Sequence, residues 1–282
     1  SFSKNVVDNF TQMYAQGLTP NPCVECNRSV KFDHFISQAK KLNCDKVATG
    51  HYAKIIKKNN EFELHKADYL DKDQSYVLHM LKSSDLENIS FPLGEISKPE
   101  VRQIAARIGL KTAFKKDSQD ICFVGKKDYR SFVEKRIDLT SPGEIFDIEG
   151  NKVGDHNGIH EFTVGQRKGL PGGYGTPRYV TKINVQNKNV TIGEKKDLLV
   201  SSFIVEELSC VNDLEYNNLT IQTRYNSEDL PCEIKKLSDT KVLVQLKEPA
   251  FGVAPGQFGV IYNGTKVVCG GRISPKVLEN IG

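Results

Sequence analysis

The 282-residue sequence has no stretch approaching the roughly 20 apolar residues that a membrane helix needs. Its 38% hydrophobic and 26% charged residues are those of a soluble globular protein, so no membrane partner is expected. No signal peptide is expected at its start, and no low-complexity tract or internal repeat is visible. A net charge of +4 is mild; it permits nucleic-acid binding without arguing for it. The seven cysteines are odd in number and show no disulfide rhythm, which fits a reducing compartment. The expectation is a cytoplasmic monomer, an organellar location being the alternative. The first residue is Ser1 rather than Met, and SFSKNVVDNF already reads as helix, so the chain is expected to begin inside a larger protein. Its length accommodates two or three domains.

The most informative stretch is Thr19–Phe32, TPNPCVECNRSVKF. Pro20 and Pro22 lack amide donors and bias their predecessors away from helix, so an extended turn is expected. Asn27 is a good N-cap. Phe32, Phe35, Ile36, Ala39 and Leu42 then recur at helical spacing. Cys23 and Cys26 are therefore expected on a stiff loop just before a helix N-terminus. The positive end of that helix favours thiolate and would draw a thiol below its usual pKa of about 8.5. Cys26 becomes a candidate nucleophile or metal ligand. For Cys44, Cys210, Cys232 and Cys269, packing inside helices and strands is expected.

Residues 1–18 read as a helix stopped near Gly17. Residues 45–52, DKVATGHY, form a short strand running into Gly50 and His51; a strand after a helix is α/β grammar, and ligands sit at such strand ends. Residues 54–66 read as a polar hairpin. In ADYLDKDQSYVLHML, Asp71 and Gln74 have the spacing of a capping box, and Tyr76, Val77, Met80 and Leu81 give a helix one buried face. Ser97-Lys98-Pro99-Glu100 opens a further helix that Gly109 stops. The second chemical stretch is KKDSQDICFVGKK, residues 115–127. Cys122 lies between Ile121 and Phe123, after Asp117, Ser118 and Asp120, with Lys115, Lys116, Lys126 and Lys127 around it. An apolar pocket keeps a thiol protonated and nearby lysines favour thiolate, so a buried strand cysteine and a reactive one stand even. Tyr129–Ile137 reads as another helix.

From Ser141 short β runs split by Gly, Asn and Asp take over. Residues 143–156 and 178–194 read as hairpins, the second turning at Gln186–Asn189. A Gly-rich loop between them holds Arg167, Lys168 and Arg178. Beyond Leu198 six further runs, with the Asn263-Gly264 turn signal, point to a small all-β barrel. The fold class is thus α/β followed by all-β, with boundaries near 90 and 200: an α/β domain over 1–90, a central α+β domain over 91–200 that carries Cys122, and a barrel over 201–282.

The Cys-x-x-Cys pair has no second pair and no close histidine pair to complete a zinc site. A Pro-rich turn stands where a thioredoxin-type couple has a strand. There remain part of an iron–sulfur cluster with Cys122 as a distant ligand, and a Cys26–Cys122 thiol pair exchanging sulfur or electrons. Spacing leaves both open.

In chain order, TPNPCVECNRSVKF, ATGHYA, KDQSYVLHML, FPLGEISKPEVRQIAARIGL, KKDSQDICFVG, TVGQRKGL, TRYNSEDLPC and PGQFGVIYNG resemble the tRNA-specific 2-thiouridylase family over essentially the whole sequence. That resemblance implies the C-terminal part of a PP-loop ATPase α/β domain (adenine nucleotide alpha hydrolase-like), a small mixed central domain and a tRNA-binding barrel. It implies that ATP, with Mg2+, adenylates the carbonyl oxygen between the ring nitrogens of the wobble uridine of tRNA, and that sulfur then replaces this oxygen. Carried over residue by residue, Cys26 resembles the nucleophile and Cys122 the persulfide carrier, the two joining as a disulfide in turnover. Gly50 resembles a nucleotide contact, and His51 a residue near the tRNA. Asn21, Pro22 and Cys23 match the segment that meets the target base. Lys72, Asp73, Gln74, Arg224, Tyr225 and Gln257 match tRNA contacts, an Arg beside a Tyr suiting phosphate contact and base stacking. A cysteine desulfurase or sulfur-relay protein is the implied partner besides tRNA.

Two departures matter. The family's Ser-Gly-Gly-x-Asp-Ser phosphate loop does not occur in this sequence, so the 282 residues alone are expected to be inactive. Position 23 is Cys where some relatives carry Asp. With Cys26 and Cys122 it makes three thiols able to hold a [4Fe–4S] cluster with one open iron. A non-catalytic RNA-binding module is the competing expectation.

Overall fold

A computed structural model describes residues 2–115, 121–125, 129–137, 141–210 (without the Cys210 side chain) and 217–275. A π-helical run, Ser3–Asp8, continues into α1 (Asn9–Ala15), which ends at Gly17 with φ +66°. Then α2 (Pro22–Glu25) passes without a break through a second π-helical run, Cys26–Phe32, into α3 (Asp33–Lys41). Asn21, rather than Asn27, caps this helix: its Oδ1 accepts the Cys23 amide at 3.2 Å, and Pro22 follows in the first turn. Asn27 is buried instead and donates to the Val77 carbonyl at 3.1 Å.

After β1 (Val47–Ala48) comes the expected hairpin, β2 (Ala53–Lys58) and β3 (Glu61–Lys66). It turns on Asn59 and Asn60, both at positive φ, a conformation Asn tolerates. No α-helix forms over 71–81. Two 3-10 turns, Leu70–Lys72 and Ser75–Leu78, stand there. The Asp73 carboxylate accepts the Ala67 amide at 2.8 Å and the Ser75 hydroxyl at 2.6 Å, holding the backbone in a turn where a helix was signalled. After α4 (Ser83–Leu86), β4 (Ile89–Ser90) pairs in parallel with β1. Helix α5 (Lys98–Arg107) opens as its sequence indicates, with the Ser97 hydroxyl accepting the Glu100 amide, and Gly109 follows at φ +75°. Helix α6 spans Tyr129–Glu134.

The central sheet contains β5 (Gly143–Phe146), β6 (Lys152–His156), β7 (Tyr179–Asn184) and β8 (Asn189–Gly193) in the order β6-β5-β8-β7. Ile145, Phe162, Val180, Val190 and Ile192 fill its core. The last six strands are β9 (Leu199–Cys210), β10 (Leu219–Gln222), β11 (Leu230–Ser238), β12 (Lys241–Phe251), β13 (Phe258–Asn263) and β14 (Lys266–Ile273). Running β13-β10-β11-β12-β9-β14 and back to β13, they close a six-stranded barrel. Along β12 only alternate residues, Val242, Val244 and Leu246, point into the barrel, the period-two pattern of a sheet wet on one face.

Strands β13 and β14 break that alternation and are buried on both faces. Their outer side chains Phe258, Val260, Tyr262 and Val267 join Val24, Phe32, Leu64, Tyr76 and Leu78 in one core. The hairpin β2–β3 also extends the barrel sheet, through β3 beside β14. The N-terminal layer is thus welded to the barrel. Cys232 and Cys269 are buried on strands as expected, whereas Cys44 is exposed in the turn after α3. Among the described residues no helix is long and apolar enough to cross a membrane.

Candidate functional site

Cys23 and Cys26 lie within a helix, not on a loop before one, and the difference comes from Asn21 taking the cap. Glu25, between them, is 7% exposed. Its carboxylate is held by Arg28 at 2.9 Å and by Arg272 of β14 at 3.2 Å. Arg272 also donates to the Gly256 carbonyl and lies over the Phe258 ring. The barrel therefore fixes the helix that carries the two thiols. The Thr19 amide adds a bond to the Pro255 carbonyl at 2.9 Å.

Cys122 reaches the same place from far along the chain. Phe123 packs edge-on against Phe10 of α1 at 5.3 Å between ring centroids, and against Phe132 of α6 at 5.3 Å. Tyr14 stacks on Tyr129 at 4.8 Å. Phe10, Tyr14 and Val133 form a small core with Ile121, Phe123 and Val124 around it. Cys122 itself is exposed, not a buried strand cysteine. It lies close enough for its charge to act on both Cys23 and Cys26. Of the lysines noted around it, Lys116, Lys126 and Lys127 lie outside the described residues, as do Asp117, Ser118 and Asp120.

The expected lowering of the thiol pKa does not occur. Desolvation by the surrounding protein pushes up both Cys23, itself an exposed residue, and Cys26, and the Cys122 charge adds to the rise. Lys31 opposes it at both sulfurs. The same ammonium lies 3.5 Å from His51 Nε2, and the Thr49 hydroxyl lies 2.7 Å from His51 Nδ1. An ammonium only donates, so Nε2 accepts and the Nδ1 proton goes to Thr49. Burial and Lys31 together push the His51 pKa down to about 4, keeping the ring neutral. His51 is 8% exposed and packs beside Phe32 and Phe91. Gly50 is exposed, with only Leu93 near the space a side chain would take, so a ligand has room over its backbone.

Of the remaining sequence-selected residues, Asp73, Tyr225, Arg224 and Gln257 line two hollows, and Asn21, Pro22, Lys72 and Gln74 line neither. One, of about 550 Å3, lies between the 70–76 turns and the 225–229 loop of the barrel. Tyr225 is 42% exposed there rather than in a core, and its ring lies 6.1 Å from that of Tyr76. Asp73 borders it but turns its carboxylate inward. Gln74 exchanges bonds with the Tyr52 backbone, its side-chain oxygen accepting at 3.0 Å, and Lys72 is half-buried beside it.

The second hollow, of about 250 Å3, is lined by Thr19, Thr163, Gly165, Gln166, Arg224 and Gln257, drawn from all three parts of the chain. Arg224 donates to the Gly252 carbonyl, and no carboxylate pairs with it among the described residues. A side-chain carbon on Gly252 would lie 2.8 Å from its Nη2, and one on Gly165 3.2 Å. Both glycines have positive φ, +72° and +86°, so two backbones cradle one uncompensated guanidinium. Thr19 of its lining is four positions before Cys23 in the chain.

Sequence reasoning missed Lys31, Glu25, Arg272 and the Gly165–Gly252 cradle. Glu25 and Arg272 are 247 positions apart, and nothing in either local pattern links them. The TVGQRKGL motif contained Gly165, but not what it would touch.

Residues 1–126 match the family described as tRNA methyl transferase HUP domain. Residues 130–194 match the tRNA methyl transferase PRC-barrel domain, and 200–273 the aminomethyltransferase beta-barrel domain. The tRNA-specific 2-thiouridylase MnmA of Chloroflexus aurantiacus is 42% identical over 97% of this chain and 77% of its own length. The protein of the same name from Rickettsia prowazekii is 41% identical over 98% of this chain and 78% of its own length. That from Lachnoclostridium phytofermentans is 41% identical over 96% and 78%. The chain belongs to the tRNA-specific 2-thiouridylase family.

Proposed function

We propose that this chain carries the sulfur-transfer centre and tRNA-holding surface of a tRNA-uridine 2-sulfurtransferase. The observation that carries the reading is the approach of Cys122 to Cys26, nearly a hundred positions away, close enough for its charge to act on the Cys26 thiol. ATP, accompanied by Mg2+, is the co-substrate that adenylates the base, and Gly50 offers it backbone without obstruction. Cys122 receives sulfur as a persulfide from a desulfurase or relay protein, which its exposure allows. The Cys26 thiolate attacks Cys122 Sγ. The sulfur–sulfur bond breaks, a Cys26–Cys122 disulfide forms, and the terminal sulfur leaves as hydrosulfide. Hydrosulfide adds to the activated ring carbon, and AMP departs with the former carbonyl oxygen. An external dithiol supplies the two electrons and two protons that reduce the disulfide and reset the centre, leaving as a disulfide itself. Arg224 and Gln257 in the small hollow, Tyr225 at the large one, and Lys72 on the turn that borders it hold phosphate and stacked base.

The sequence contains no Ser-Gly-Gly-x-Asp-Ser segment, so the 282 residues by themselves are expected not to thiolate. The experiment is a fusion carrying that segment from a curated relative ahead of Ser1. It is incubated with tRNA, ATP and a persulfide donor, and nucleosides are read by mass spectrometry. Thiouridine that disappears in Cys26→Ser and Cys122→Ser, with tRNA binding intact, supports the reading. Thiolation that survives either change overturns it. Unaltered tRNA binding with no thiolation in any form favours a binding module.

The position of Cys23 supports a second reading. The charges of Cys122 and Cys26 both act on it, and this reading makes the three cysteines the ligands of a [4Fe–4S] cluster. Anaerobic purification with iron and sulfide analysis separates the two: an active, iron-free protein excludes the cluster.

A further inference from the structure

The run Cys26–Phe32 is π-helical, and that winding has a consequence for Lys31. In an α-helix residues five apart point about 140° away from each other. The i to i+5 repeat of a π-helix brings them back onto one face. Lys31 is five residues after Cys26, so the wider winding puts the two residues on one face of the helix. The local electrostatics agree. The Lys31 charge acts on Cys23, on Cys26 and on His51. His51 Nε2, 3.5 Å from Nζ, occupies one of its three donors. No carboxylate pairs with it among the described residues, although it is half-buried. A half-buried ammonium with donors to spare, on the thiol-bearing face of its helix, is an anion site.

We propose that Lys31 is a positioning cation that holds the anionic sulfur at Cys26, with His51 as the neutral post that aims the ammonium. The anions it takes are a thiolate, a hydrosulfide or a persulfide sulfur. This rests on the reading of Cys26 as a reacting thiol and adds the group that orients what it reacts with. A neutral His51 is essential to the arrangement: a protonated ring would repel the ammonium and release it from its aim.

The test uses the full chain, without tRNA or ATP. Cys26 is alkylated in parallel with iodoacetate, which is anionic, and iodoacetamide, which is neutral, and modification at Cys26 is read by peptide mass. Both reagents meet the same thiolate, so the ratio of their rates cancels its pKa and reports the local positive charge. Lys31→Gln is expected to lower the iodoacetate-to-iodoacetamide ratio about fivefold or more, and Lys31→Arg to retain most of it. In the unaltered protein the ratio is expected to fall as salt rises from 0.05 to about 1 M, because the charge is screened. A ratio indifferent to both Lys31→Gln and salt overturns the proposal. The salt series needs no variant, so a misfolded substitution leaves the question answerable. Failure of Cys26 as the thiolating cysteine would show in the fusion assay, not in this ratio.

Discussion

Replacing Arg272 by Met tests whether the barrel positions the thiol-bearing helix. Glu25 is 9% exposed at its side chain and Arg272 12%, and their closest atoms are 3.2 Å apart. Removing one partner of such a buried pair costs about 3–5 kcal/mol, because the other charge is left without compensation. Here Arg28 remains on Glu25, but it is 49% exposed and solvent weakens its grip. The expected loss is therefore about 2–3 kcal/mol. Glu25→Gln in the same background removes the stranded charge and should restore part of the loss, giving a coupling energy of about 2 kcal/mol in the double-mutant cycle. Urea unfolding of the four proteins, followed by circular dichroism, measures it. Accelerated hydrogen exchange at the Val24–Arg28 amides should accompany Arg272→Met. A loss under about 0.5 kcal/mol, or a coupling energy near zero, would refute the claim that this pair ties helix to barrel.

Other outcomes follow from the same packing. Gly252→Ala places a carbon 2.8 Å from Arg224 Nη2 at φ +72°; it should cost about 1–2 kcal/mol and weaken tRNA binding, lowering the salt slope by about one phosphate contact. An unchanged slope would separate Arg224 from the phosphates. Gly270→Ala drives its carbon into the buried His79 ring and should destabilise by about 2–3 kcal/mol in urea. His51 and His79 are both pushed down to about 4 by burial, so the unfolded chain takes up protons that the folded one refuses. Stability is then full above pH about 6.5 and declines as pH falls toward 4, and His51→Gln should flatten part of the decline. Thermal melts from pH 7.5 to 4.5 check it; a flat profile contradicts it.

The elements legible in the sequence were those whose cause is local. Ser97 and Gly109 bracket α5, Asn59-Asn60 and Asn263-Gly264 turn hairpins, and alternating valines mark β12. Prediction failed where a side chain had two local uses. Asn21 and Asn27 were both able to cap, and only the Val77 carbonyl, fifty positions on, decided which did. The capping box expected of Asp71 and Gln74 failed likewise, because the Asp73 carboxylate between them holds Ala67 and Ser75, and the Gln74 side chain accepts from the Tyr52 amide. The thiol pKa was misjudged for a related reason. A helix end was legible, but the burial that outweighs it comes from distant segments. The two cysteines were singled out by motif alone; what brings them together is the aromatic cluster of Phe10, Phe123 and Phe132, which no spacing reveals.

Disulfide mapping of the 282-residue chain after mild oxidation with diamide addresses the central claim most directly. A bridge between the peptides containing Cys26 and Cys122 is predicted as the first product. Cys122 remaining free while Cys26 stays reduced or pairs only with Cys23 would contradict it.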